Sequence, residues 1–150
     1  MSDAEPVLDS PTGNVKRHVR DYLDTDGRIG HRHRGRNTLL LITRGAQSGA
    51  LRRTALIYGR NGDTFVLVAS NAGSQRHPAW YANLRANPSV EVQVEAQRFT
   101  ATARTASDDE RASLWPMMVK EFHMFDRYQE KAARQIPIVI LRRDGTPDTD

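Results

Sequence analysis

At 150 residues the chain fits a single domain with room for a core and a ligand pocket. It contains no cysteine, which excludes disulfides, thiolate metal sites, iron–sulfur clusters and a cysteine nucleophile. The net charge is +4, and of the 22 basic residues only Lys16, Lys120 and Lys131 are lysine, so an anionic partner met by guanidinium groups is favoured.

Residues 1–13 are polar and acidic, without the apolar stretch of a signal peptide, and no run is long enough to cross a bilayer. The chain is expected in the cytoplasm. Residues 1–13 and 144–150 read as flexible tails around one folded unit over 14–143. Val15, Val19, Tyr22 and Leu23 recur at helical spacing and predict a short amphipathic helix ending near Gly27, either a flank packed on the main fold or a lid over the substrate mouth. Its cations Lys16, Arg17 and Arg20 allow weak peripheral membrane contact but no firm anchoring.

The middle reads as a three-stranded meander over Thr38–Thr43, Arg52–Arg60 and Thr64–Ser70, with Asn61-Gly62 as the strongest turn signal. Pro78–Ala86 predicts a short helix. Val90, Val92 and Val94 alternate with polar residues, and Arg98–Arg104 returns beside them as a half-buried pair. Ser107 and Glu110 have the spacing of a capping box and start a helix that Pro116 interrupts or kinks; Phe122–Arg134 reads as a separate helix. Ile136–Leu141 closes the fold as a strand, with Pro137 pointing to an edge or a bulge. The class is α+β, mainly β, with about six mostly antiparallel strands and flanking helices. A small barrel and another α+β sheet both fit this pattern.

Three segments collect groups suited to a charged, planar ligand. Thr43 to Gly49, with Arg44 and the glycines Gly45 and Gly49, followed by Arg52, Arg53 and Thr54, sets exposed backbone N–H groups beside a pair of guanidiniums. Ser70, Asn71, Ala72 and Gly73, leading to His77, Pro78, Ala79 and Trp80, form a strand end, a small-residue loop and a helix start. Phe122, Phe125 and Tyr128, spaced by three, share a helix face on which the Tyr128 hydroxyl is the one polar atom. Each also has an ordinary structural explanation, as a turn, a connection or a core stripe. His31 and His33 lack carboxylate or thiolate partners nearby, so no metal site is expected. No serine nucleophile turn, Walker loop or Rossmann glycine pattern is present.

Taken in order, Leu39 to Thr43 with Gly45, Ser48-Gly49, Arg52 to Leu56, Asn61-Gly62-Asp63, Val68 to Asn71, Gly73, His77 to Tyr81, Asn83-Leu84, Ala86-Asn87-Pro88 and Ile136 to Val139 resemble the deazaflavin (F420H2)-dependent nitroreductase family. The resemblance covers roughly residues 36–141. It implies a split β-barrel enzyme that uses reduced coenzyme F420, whose phosphodiester and glutamate tail lies toward a basic mouth. It implies that Arg52, Arg53 and Thr54 lie beside the tail, that Ser70, Asn71, Ala72 and Gly73 lie near the deazaflavin, and that Leu56, His77, Pro78, Ala79 and Trp80 are further cofactor-binding residues. Tyr128 and Ser70 then become the catalytic candidates. Hydride transfer to a quinone, enone or nitro compound is the expected reaction, by a monomer or homodimer and without nucleic acid. Relatives often carry two further basic residues where this chain has Ala46 and Gln47. The alternatives are a flavin mononucleotide reductase on the same barrel and a non-catalytic module for an anionic ligand or nucleic acid.

Overall fold

The computed structural model describes residues 5–10 and 13–145. Its strands are β1 (Val7–Asp9), β2 (Arg32–His33), β3 (Arg36–Arg44), β4 (Leu51–Ile57), β5 (Gly59–Asn61), β6 (Thr64–Val68), β7 (Ser89–Val94), β8 (Gln97–Thr105) and β9 (Ile138–Arg143). The α-helices are α1 (Gly13–Asp24), α2 (Ala79–Ala86), α3 (Asp108–Glu121) and α4 (Met124–Lys131). Hydrogen bonding orders the strands β1-β4-β3-β7-β8-β9-β6-β5, with β2 on β3. Only the β1–β4 pairing is parallel among the described residues.

Apart from β1, the strand path begins and ends on β4 and β5, which are successive parts of one segment bent at Tyr58. Its backbone N–H turns aside to the Asn37 carbonyl at 3.1 Å, and its hydroxyl meets His31 Nε2 at 2.8 Å. A side chain at Gly59 would collide with Met118 of α3, so the bend is where this helix presses on the strand. The expected meander is therefore corrected: β6 pairs with β5 and β9, not with β4. Six principal strands remain among the described residues, with β4 and β5 counted as one and the short β1 and β2 set aside.

Periodicity explains which strands are apolar throughout. Leu39 and Leu41, Phe65 and Leu67, Val90 and Val92, and Val139 and Leu141 fill the interior at every second position, and Tyr81 and Leu84 of α2 join that cluster. The alternate residues of β6 and β9, Val66, Val68, Ile138 and Ile140, pack against Leu114, Met118 and Phe125 of α3 and α4. Leu40 of β3 packs against Val19 and Tyr22 of α1. Strands covered on both faces read as continuous apolar runs, whereas β7 and β8 alternate.

The α1 face is the one read from the sequence, and of the two expected placements the helix takes that of a flank. It lies on the barrel's outer surface over Leu40 and Ala55. Tyr22 is fully buried; its hydroxyl donates to the Thr38 carbonyl at 3.1 Å and accepts from the Glu95 N–H at 2.7 Å. Burial pushes that phenol up to about 12. We expect Tyr22→Phe to cost about 1–3 kcal/mol of stability, because the Glu95 N–H is left unpaired; denaturant melts check it, and a loss below experimental error would show that water replaces the hydroxyl.

Two further expectations change. Val7–Asp9, within the supposed tail, forms β1; residues 1–4, 11–12 and 146–150 lie outside the described residues. Pro137 does not mark an edge, since β9 sits between β8 and β6. It precedes the first strand residue, and its carbonyl accepts from the Ala69 N–H at 2.9 Å, so no ladder donor is lost. The Ser107–Glu110 capping box forms as read, and α3 continues through Pro116.

Candidate active site

The β3–β4 hairpin sets Thr43 opposite Arg52 and Ile42 opposite Arg53. Its turn is held from inside by the Gly45 N–H to Ala50 carbonyl bond at 2.7 Å. A side chain at Gly45 would displace the Ser48 hydroxyl, which accepts from the Ala50 N–H at 3.1 Å inside the turn. Asn83 of α2 then fastens the hairpin to the helix. Its Oδ1 accepts from the Ala46 N–H at 2.9 Å, and its Nδ2 donates to the Thr43 hydroxyl at 3.1 Å.

Between this hairpin, α2 and β1 lies a cleft of about 580 Å³, a volume suited to a cofactor. Arg52, Arg53, Thr54, Ala79 and Trp80 line it, as do Ala82, Asn83, Leu8 and Asp9 of β1, and Ser10 just after it. Arg52 is exposed and makes no ion pair among the described residues. Arg53 is less exposed and its Nε donates to Asp9 Oδ1 at 2.6 Å. Arg44 is not among the lining residues: it binds Glu5 through both terminal nitrogens and also donates to the Gly49 carbonyl. That contact holds the Glu5 carboxyl below its ordinary value.

The remaining residues expected at the site form a neighbouring group and do not line this cleft. Leu56 packs against the interior cluster that also receives Trp80. Pro78 is buried just ahead of α2. Asn71, Ala72 and Gly73 have successive φ values of 47°, 53° and 79°, a left-handed path that costs energy for the two with side chains. One guanidinium holds this loop in place. Arg134 donates to the carbonyls of Ser70 at 2.8 Å, Ser74 at 3.0 Å and Ala69 at 3.3 Å. Its Nη1 also lies 2.9 Å from His77 Nδ1. Since a guanidinium only donates, His77 accepts there and is neutral with its proton on Nε2. Burial first, then Arg134 and Arg85, lower its pKa accordingly.

Tyr128 is brought against the same loop, because its backbone carbonyl and Cα approach Gly73 so closely that a side chain there would clash. Its ring is half-buried and meets Phe122 and Phe125 edge-on, at centroid distances of 6.0 and 6.5 Å. The three rings cluster as expected, although Phe122 precedes α4 and is not on its face. The hydroxyls of Tyr128 and Ser70 have no hydrogen-bond partner among the described residues.

Sequence reasoning included Thr43 in the first ligand segment but gave no role to Asn83, Asp9 or Arg134. A signal for Asn83 existed: Ala79, Ala82 and Asn83 have i, i+3, i+4 spacing, a helix face of small residues around one amide. Removing that amide by Asn83→Ala is expected to cost about 1–3 kcal/mol and to loosen the hairpin turn; amide exchange at Ala46 and denaturant melts measure both, and an unchanged Ala46 would show that the turn holds itself.

Among solved structures, an F420-H2 dependent reductase is 35% identical with a TM-score of 0.65, covering 70% of this chain and 93% of that one. A chain described as a domain-swapped dimer is 33% identical with a TM-score of 0.68, covering 89% of this chain and all of that one. Fold and cleft thus define a split β-barrel oxidoreductase. Residues 14–143 match the F420H(2)-dependent quinone reductase family, and the chain belongs to that family. An F420H(2)-dependent quinone reductase of Mycobacterium tuberculosis is 41% identical over 133 residues, 86% of this chain and 89% of that protein. F420 is accordingly the cofactor, and the flavin mononucleotide and non-catalytic alternatives fall away.

Proposed function

We propose that the chain reduces a quinone with F420H2, holding the coenzyme's phosphodiester and glutamate tail on Arg52 and Arg53 and its ring toward the Ser70–Gly73 loop and Trp80. Arg52 carries this reading: a guanidinium without an ion pair among the described residues, in a cleft that also holds an indole, fits an anionic tail joined to a flat ring. The reduced deazaflavin supplies hydride at carbon, so the protein needs neither nucleophile nor metal.

What the protein supplies is alignment and a partner for the charge that grows on the quinone oxygen. The Tyr128 and Ser70 hydroxyls are proposed for that role: neither has a hydrogen-bond partner among the described residues, and neither is fully enclosed, so both can reach an incoming acceptor. Arg134 fixes the loop that carries Ser70, so the donor is positioned before the acceptor arrives. Enones and nitro compounds, which also gain negative charge on oxygen or carbon, are proposed as further acceptors. The domain-swapped relative supports a homodimer, and Lys16, Arg17 and Arg20, exposed on α1, support weak contact with an anionic membrane. No helix among the described residues is long and apolar enough to cross a membrane.

Anaerobic assays of F420H2 against a panel of quinones test the reaction. Protein-dependent oxidation of the coenzyme is expected with at least one quinone, and its absence with all of them overturns the reading.

A further inference from the structure

Val7–Asp9 lies in a polar stretch with no strand signal of its own, yet it adds in parallel to the open edge of β4 and brings Asp9 opposite Arg53. Each of the two carboxylates in the described part of this stretch takes a cation of the β3–β4 hairpin. Glu5 grips Arg44 at 2.8 and 3.0 Å, with both side chains more than two-fifths exposed. Asp9 grips Arg53 at 2.6 Å, where the side chains are only 29% and 18% exposed. The second pair is therefore the less screened of the two, and it sits inside the cleft rather than beside it.

We propose that Asp9 is a specificity-determining residue of the cleft: an internal carboxylate, seated on Arg53, that the anionic tail of the coenzyme must displace. The proposal rests on the reading that Arg52 and Arg53 hold that tail. A phosphodiester or glutamate arriving at Arg53 exchanges one ion pair for another, and the displaced Asp9 returns to water. A ligand without an anionic tail has nothing to offer in the exchange and leaves the pair closed. The cleft thus discriminates by tail charge, an effect strengthened by the neutral residues at Ala46 and Gln47, which leave Arg52 as the one unengaged cation among its described lining residues.

Titrations with F420 and with its riboside, which keeps the deazaflavin and lacks phosphate and glutamates, test this on the full chain. Asp9→Asn is expected to tighten F420 roughly three- to tenfold, the size of one partly exposed ion pair, and to leave the riboside unchanged. An unchanged or weaker F420 affinity overturns the proposal, and so does equal tightening of both ligands, which would mean a merely loosened cleft. Asp9→Ser, read the same way, serves if the asparagine variant melts early. Arg53→Ala separates the two layers of the argument. If it costs no F420 affinity, Arg53 is not a tail seat and the underlying reading fails; if it weakens F420 while Asp9→Asn gains nothing, only the competition fails.

Discussion

Arg52→Ala is expected to weaken F420 binding roughly tenfold, with a ceiling near a hundredfold, while leaving the fold intact. A hydrogen bond to a charged group contributes about 1.5–3 kcal/mol, and the exposure of Arg52 moves the expectation toward the lower end because water screens the contact. Stability should hardly change, since Arg52 makes no ion pair among the described residues and its backbone ladder to Thr43 is untouched by the substitution. Arg53→Ala should lose less affinity, because Asp9 already compensates that charge, and should lose some stability through an unpaired Asp9. The order Arg52 above Arg53 is the sharp part of the expectation. Equal losses would show that Asp9 swings away at no cost, and no loss from either would move the tail to another part of the cleft. Raising the salt concentration should weaken the parent protein more than Arg52→Ala.

The split between what the sequence revealed and what it hid follows from the range of the interactions. Alternating valines in β7, apolar runs in β3, β6 and β9, and the Ser107–Glu110 cap are local patterns, and each formed near its expected bounds. The bend at Tyr58 is not local. It depends on Met118 of α3 pressing upon Gly59 from far along the chain, so one strand read over Arg52–Arg60 became two with different neighbours. β1 was invisible for the same reason: three residues beside prolines have no periodicity, and only the free edge of β4 makes them a strand. At the site, the arginine pair and the Ala79-Trp80 helix start could each be read alone. That they share a cleft is due to Asn83, whose two bonds cross from α2 to the hairpin. Arg134 gave no signal at all, because a guanidinium that binds carbonyls of a distant loop leaves no mark in its own neighbourhood. The deviation in the other direction is as informative. Ser70, Gly73, His77 and Tyr128 were expected on the same ligand as Arg52, and they form a second group next to each other, joined to the cleft through the short connection from His77 to Trp80.

Tyr128→Phe is expected to lower kcat about a hundredfold with a quinone acceptor, the usual cost of losing one donor that acts mainly in the transition state. The substitution isolates the hydroxyl. The ring keeps its edge-on contacts with Phe122 and Phe125, and the approach to Gly73 involves only the backbone of residue 128, so neither packing nor the left-handed loop should respond. With no described partner to lose, the hydroxyl contributes little to stability, and the melting temperature should be unchanged. F420 affinity should also be unchanged, because the tail is assigned to Arg52 and Arg53 on the other side of the connection. A fall in kcat with steady coenzyme affinity is what a donor to the developing quinone oxygen produces, whereas a packing residue would shift both together or neither. The measurement needs conditions in which chemistry limits the rate, which a deuterium effect from labelled F420H2 establishes. If kcat then stays the same across several quinones, Tyr128 is a packing residue, and the proton reaches the substrate from Ser70 or water.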